Sequence, residues 1–464
     1  MKTLHLTNAW HKNSGGIATF YRALFAQASA EGRQIRLVVP GAKDDIEDIS
    51  PTARVYYVAA PTAPLNSNYR VLYPSAFLRP GTRIQEIIRD EKPELVEICD
   101  KYNLNYLGAL LRHKLVQGLE LSPVVIGLSC ERMDANFGTY LSNNFLARRF
   151  CRWYMRWIYY PFFDHHIAVS EHTADELRQV SVGHKVRRGT WVHPMGVDSS
   201  GFSPELRSEE SRRQLKRDVG AGDNASLLIY AGRLDPEKNL PLLFDTLLQL
   251  KSSDCHLIIA GEGLERASMV SRAQRELPGR VSFLGHIAGR GQLAKLIANC
   301  DVFVHPNPRE PFGIAPLEAM ASGVPVVAPN SGGITSFANA ENASLVEPTG
   351  ESFAAAVREL LGNQELWNSR RAAGRATSER LSWPAVAASM LRLYDKIYQI
   401  QLGQCSQEEC PPLFWSQPPT GVGGGLMPTL AAKVADYFVS AAYCRPLTAE
   451  PRREPIELDK EYSR

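Results

Sequence analysis

Short apolar runs alternate with longer stretches in which apolar residues recur at helical spacing over most of the chain. In the first part the runs are TLHLTN, IRLVVP, ARVYYVA, LVEIC and PVVIGLS, with HHIAVS at 165–170, and each predicts a strand. TFYRALFAQASAEG, closed by Gly32, predicts a helix. SEHTADELRQV predicts another that starts at or near Ser170, with Thr173 and Asp175 in its first turn. At HPMGVDSSGFSPE (193–205) the pattern breaks into Pro, Gly and Ser, a linker signature. A second alternation follows, with strands at SLLIYAG, CHLIIAG, RVSFLG, DVFVHP, VPVVAP and ASLVEP, and ends in the amphipathic helix LSWPAVAASMLRLYDKIYQI (381–400).

Two such alternations predict an α/β fold with two mostly parallel sheets facing a cleft, and open α/β sheets bind ligands beyond the carboxyl ends of their strands. The expected organisation is an N-terminal domain over 1–193 and a C-terminal domain over 194–383. A terminal helix over 384–400 is placed to pack back on the first domain, and a tail follows over 401–464. The tail is rich in Pro and Gly before one short amphipathic stretch, TLAAKVADYFVSAAY.

Composition narrows the class. The chain has 464 residues, 44% hydrophobic and 22% charged, with a net charge of +3. That is the profile of a soluble multidomain protein, with no global basicity to suggest nucleic acid. Met1 leads straight into KTLHLTN, without the apolar core of a signal peptide, so the expected location is cytoplasmic. Eight cysteines are scattered without CxxC spacing, and reduced thiols are expected in place of a metal site.

Candidate chemistry concentrates in the second half. In YAGRLDPEKNL (230–240), Arg233 and Lys238 follow a strand end and could converge on one diphosphate, or simply pair with Asp235 and Glu237. REPFGIAPLE (309–318) holds Glu310 and Glu318 around a Pro–Gly turn. Pro311 biases Glu310 towards an extended conformation, and Pro316 suits the first turn of a helix that runs to Gly323. The free N–H groups of such a helix start suit a phosphate. Glu318, expected in the first turn, has Ala315 where a capping box needs Ser or Thr, which leaves its carboxylate for ribose hydroxyls.

GRLDPEKN and EPFGIAPLEAMASGVPVVAPNSGGI together resemble the donor-binding half of the retaining GT-B glycosyltransferases of family 4, and the resemblance spans roughly residues 3 to 400. It implies two Rossmann-like domains and transfer of a hexosyl unit from a nucleoside diphosphate sugar, of UDP or GDP type, to an acceptor hydroxyl. The acceptor expected is a glycan or lipid-linked precursor of cell-envelope polysaccharide. It further implies that Arg233 and Lys238 neutralise the diphosphate, Glu310 faces the transferred sugar and Glu318 holds the ribose. The backbone from Phe312 through Gly313 and Ile314 to Ala315 would contact sugar and phosphate. NSGGIATF resembles the family's glycine-rich loop, with Gly15 and Gly16 approaching the donor phosphates. No metal and no further cofactor are expected. Base selectivity is placed in FLGHIAGRGQL (283–293), where the residues do not separate uracil from guanine.

The first half departs from the family pattern in GLSCERMD (127–134), where Cys130 and Glu131 occupy a region that often carries a histidine. Glu131 or Arg132 is a candidate acceptor contact, and Cys130 reads as a packed thiol. Gly196 reads as the hinge residue. In FLARRFCRWYMRWIYYPFF (145–163), a helical wheel sets Arg148, Arg152 and Arg156 against Phe150, Trp153, Tyr154 and Trp157. Two readings stand: a helix that buries its aromatics, which is commoner, or an amphipathic surface that contacts anionic lipid. Beside a transferase, the residues admit a non-catalytic nucleotide-sugar sensor and a GT-B sugar-nucleotide epimerase.

Overall fold

The apolar runs pair into two parallel sheets in the computed structural model, which describes residues 1–10, 15–63, 66–119, 122–140, 145–182 and 189–404. The first sheet has the spatial order Gly189–Val192, His165–Ala168, Val124–Ser129, Leu95–Cys99, Thr3–Thr7, Ile35–Gly41, Ala53–Ala59 and Asp45–Asp48. Only Asp45–Asp48 is antiparallel. It is exposed along its whole length, so no apolar alternation announces it in the sequence. Gly189–Val192, a four-residue strand next to the Pro-rich break, was likewise not signalled as a strand.

The second sheet is wholly parallel, in the order Val281–Gly285, Cys255–Ala260, Ser226–Ala231, Val302–Val304, Val326–Pro329 and Ser344–Val346. Numbered along the chain this is 3-2-1-4-5-6, so the order reverses between Ser226–Ala231 and Val302–Val304. A crevice opens at such a reversal, because the loops leaving the two neighbouring strands turn to opposite sides.

Strands buried on both faces need two layers of cover. One core packs Leu4, Leu6, Val96 and Ile98 beneath the outer helices of the first sheet. Another packs Leu228, Leu257, Ile259 and Val302 beneath those of the second. The remaining core runs continuously through both halves, joining Leu37 and Ile126 to Ile229 and Phe303 through Trp383, Met390 and Tyr394.

That continuity depends on the helix Trp383–Gln401, which packs against Gly16–Ala30 of the first half. Arg33 grips Asp395 through two hydrogen bonds of 2.7 and 2.6 Å. Tyr394 donates to the fully buried Glu97, which also accepts from Tyr21 at 3.1 Å and lies 3.1 Å from His5 Nδ1.

Gly196 has a different task from the one its sequence position suggests. It does not adopt positive φ, and a Cβ there would lie 2.6 Å from Cε3 of Trp383 and 3.1 Å from its Cα. Close packing, not backbone freedom, requires glycine. The chain crosses itself here, with Val197 and Trp383 exchanging backbone hydrogen bonds with Leu381 and Val197.

The stretch 145–163 is also not one regular amphipathic helix. It is an α-helix over Phe145–Tyr154, a π-helical turn over Met155–Tyr159 and a 3-10 turn over Tyr160–Phe162. Cys151, Tyr154 and Met155 are buried, whereas Phe145, Leu146, Phe150, Trp153 and Trp157 are exposed. Tyr154 therefore leaves the aromatic face assigned to it, because its hydroxyl bonds inward to Asn105 and to the carbonyl of Lys101. The tail from 405, with its amphipathic stretch and Cys405 and Cys410, lies outside the described residues, as do Asn13 and Ser14.

Candidate active site

Two loops at the strand-order reversal build the charged centre. Gly232 leaves Ser226–Ala231, and the loop closes in a 3-10 turn, Pro236–Lys238. His305 to Gly313 leave Val302–Val304. Asn239 Nδ2 donates to the Pro306 carbonyl at 3.0 Å and fastens the loops together. Lys238 Nζ then meets Glu310 Oε2 at 3.0 Å. Asn307 Nδ2 donates to the same oxygen at 2.9 Å, and His305 Nε2 stands 3.7 Å away.

Burial alone would raise the Glu310 carboxyl, but Lys238, His305 and Asn307 outweigh it and hold the value down at about 2. Burial pushes His305 down to about 4, against the pull of Glu310. At neutral pH the centre is thus an ionised carboxylate beside an ammonium and a neutral imidazole. His305 and Asn307 were missed in the sequence. Their signal was present: His305 directly follows the strand Val302–Val304 at the edge of the crevice, and Asn307 lies in the same loop.

Gly313, at φ 105°, caps the helix Ile314–Ala321. The helix starts two residues before Pro316, so Glu318 lies in its second turn and not in the first as expected. A glycine in left-handed conformation can turn the chain into the helix without help from the proline. Glu318 is nearly buried, and its Oε1 accepts from Arg290 at 2.9 Å. Burial lifts its carboxyl to about 7, with Arg290 opposing. Arg290 lies within 283–293, the stretch in which base selectivity was expected. Phe312 is buried against Phe337, while Ile314 and Ala315 are half-buried.

Arg233 is largely exposed and forms ion pairs with Asp235 and Glu237. The structure therefore shows the local pairing of Arg233 and brings Lys238, not Arg233, to Glu310.

The first half meets this centre at two places. A Cβ on Gly16 would lie 2.5 Å from Cδ1 of Ile314, so the glycine loop and the helix start touch across the cleft. Gly15 caps the helix Gly16–Ala30. Ser170 Oγ donates to the Pro311 carbonyl at 2.5 Å, and the Glu171 amide to Ser336 Oγ at 3.2 Å. Glu131 accepts from Asn136 at 2.8 Å, and burial raises its carboxyl against the opposing effect of Lys101. Cys130 is half-buried, with its Sγ 3.7 Å from that of Cys99 at the neighbouring strand end. Among the described residues no group of three or more His, Cys, Asp or Glu is arranged to hold a metal ion.

Comparison with known proteins matches both halves. Residues 14–200 fit the model of Glycosyltransferase Family 4, and residues 211–380 that of Glycosyl transferases group 1. A GDP-mannose-dependent alpha-(1-6)-phosphatidylinositol dimannoside mannosyltransferase of Mycobacterium tuberculosis is 28% identical over 393 residues, 84% of this chain and 95% of that protein. A GDP-mannose-dependent alpha-mannosyltransferase of Mycolicibacterium smegmatis is 35% identical over 205 residues, 44% of this chain and 50% of that protein. Among solved structures, sucrose-phosphate synthase from Thermosynechococcus elongatus superposes with a TM-score of 0.66 at 20% identity, covering 86% of this chain and 100% of that one. That likeness establishes the two-domain GT-B fold.

Proposed function

We propose, for a chain that belongs to the group 1 and family 4 glycosyltransferases of the GT-B fold, a retaining transfer of mannose from GDP-mannose to a glycolipid hydroxyl at a membrane surface. The observation that carries this reading is the ionised Glu310, held by Lys238 and Asn307 at the reversal of strand order.

In this reading the donor's sugar lies against Glu310 and its diphosphate against Lys238, Arg233 and the N-terminus of Ile314–Ala321. Gly15 and Gly16 close over the phosphates, and Glu318 accepts from the ribose hydroxyls. The bond between the anomeric carbon and the diphosphate oxygen breaks, and its electron pair goes to the leaving phosphate. The acceptor oxygen bonds to the same carbon on the same face, and its proton passes to that phosphate. Lys238 and the helix end stabilise the charge that develops on the leaving group. Glu310 stabilises the positive charge that develops on the sugar.

GDP-mannose as donor draws on the two mannosyltransferases named above. Membrane contact draws on the exposed Phe145, Leu146, Phe150, Trp153 and Trp157. Among the described residues no helix is long and apolar enough to cross a membrane, so any contact made there lies in the interface.

The test is a thermal-shift panel of GDP, UDP and ADP, followed by transfer from radiolabelled GDP-mannose into lipid extract. A selective shift with GDP and label in the lipid phase support the reading. A selective shift with UDP would replace the donor, and release of free mannose alone would exclude transfer.

A further inference from the structure

A serine that caps a helix needs only its oxygen for that task, and its proton is left over. Ser170 caps the helix Glu171–Ser181 and accepts from the Thr173 amide at 3.1 Å. Thr173 completes the capping box. Its Oγ1 accepts from the Ser170 amide and donates to the Ser170 carbonyl, each at 3.0 Å. The Thr173 proton is thus used within the turn. Both side chains are fully buried, so the Ser170 proton needs an acceptor inside the protein. Thr173 Oγ1 stands 3.2 Å away, but the Pro311 carbonyl, from the other half of the chain, is much nearer at 2.5 Å.

That carbonyl directly follows Glu310. The proline ring fixes φ and a hydrogen bond to the carbonyl holds ψ, so no soft torsion remains at Pro311. From behind, the Gly333 amide donates to the Glu310 carbonyl at 2.6 Å. A Cβ on Gly333 would lie 1.9 Å from the Pro311 oxygen, so the 3-10 turn Gly333–Ser336 lies flush against the loop. Ser336 in turn accepts from the Glu171 amide, a first-turn donor for which the helix itself offers no carbonyl. One helix start in the first half therefore grips both the Glu310 loop and the turn that backs it. Lys238 and Asn307 hold the Glu310 carboxylate, but both belong to the second half. Ser170 ties the backbone beside that carboxylate to the first half.

We propose that Ser170 is a positioning residue for the transfer: through the Pro311 carbonyl it sets the Glu310 loop against the first half, so that donor sugar and acceptor hydroxyl meet in line. This rests on the transferase reading above, in which Glu310 faces the donor sugar. Ser170 acts through the loop and not on a substrate. Donor binding, made mainly by the second half, is then nearly independent of Ser170. The chemical step, which needs both halves, is not.

The experiment compares S170A, T173A and S336A with the wild type in transfer from GDP-mannose, and in hydrogen–deuterium exchange without ligand. S170A and T173A each remove a capping hydrogen bond, so both should lower the melting temperature by a few degrees. S170A also removes the bond to Pro311. Its kcat should fall by roughly 10- to 100-fold while the donor KM stays within about threefold of wild type. T173A should keep its kcat. Exchange over 332–336 should quicken several-fold in S170A, and stay at the wild-type rate in T173A. S336A leaves the capping box intact and should show the same split between kcat and KM at smaller amplitude, which serves if S170A does not fold. Equal loss of kcat in S170A and T173A, or unchanged exchange over 332–336 in S170A, reduces Ser170 to a helix cap and overturns the proposal. Wild-type kcat and exchange in S336A would do the same. A wild type without transfer from GDP-mannose and without a GDP-induced shift would instead overturn the donor reading, and the exchange comparison then decides the contact by itself.

Discussion

Lys238 and Glu310, far apart in sequence, meet at 3.0 Å because the two strands that precede them are neighbours at the point where the strand order reverses. The contact keeps Glu310 ionised down to about pH 2. A carboxyl whose folded value is depressed contributes stability at pH values above its unfolded value and loses it as pH falls through the folded one. K238A should therefore raise the Glu310 carboxyl towards the ordinary range and move the acid limb of the pH–rate profile upward by about one to two units. E310Q keeps the volume and removes the charge. It should cut transfer by roughly 10²–10³-fold while preserving the thermal shift with the nucleoside diphosphate. Unchanged turnover in E310Q would remove Glu310 from the sugar site.

Glu318 behaves in the opposite sense. Burial lifts its carboxyl to about 7, so the folded protein favours the protonated form and loses relative stability as pH rises from the ordinary carboxylate range to about 7. E318Q cannot ionise, and its melting temperature relative to wild type should rise across that window and then level off. Ribose hydroxyls donate to the ionised form, so diphosphate affinity in the wild type should increase between about pH 6 and 8. E318Q should lose roughly ten- to a hundredfold in affinity, the worth of a hydrogen bond to a charged group. Calorimetric titration at three pH values decides it, and a flat affinity in the wild type would sink the assignment.

Two glycines should separate fold from closure. G196A drives a methyl into the Trp383 ring and backbone, and should cost about 1–3 kcal/mol of stability by overpacking. G16A meets only the tip of Ile314, a flexible group, so the melting temperature should stay close to that of wild type. Turnover should nevertheless fall, by up to roughly 10²-fold, because the halves can no longer approach as closely. I314V in the G16A background makes room and should restore part of the rate. Loss of folding in G16A, or no rescue by I314V, contradicts this account.

Exposed aromatics on a charged helix predict lipid contact that is separable from donor binding. W153S/W157S should reduce co-sedimentation with anionic vesicles several-fold, and leave the GDP-induced thermal shift intact. Equal sedimentation of wild type and variant would show that the stripe does not touch lipid.

The sequence by itself determined the two α/β halves, their principal strands, the family and the charged residues of the loops at the strand-order reversal. Apolar runs bounded by Gly and Pro mark buried parallel strands directly, and the charged residues stand in the loops that follow their ends. It did not reveal Asp45–Asp48, whose exposed side chains leave no hydrophobic trace. Nor did it show that Gly196 answers to Trp383, a contact made across the linker by a residue from the far end of the fold. The division of Phe145–Tyr154 into buried and exposed sides was also out of reach. A helical wheel assumes one regular helix, whereas a π-helical turn follows and Asn105 draws Tyr154 inward. Above all, only the tertiary structure gave Lys238 to Glu310, left Arg233 with Asp235 and Glu237, and set Arg132, Arg148, Arg152 and Arg309, from three segments of the chain, around one cavity. Each of those partnerships depends on which loops the strand order makes neighbours, and local sequence does not encode that distance.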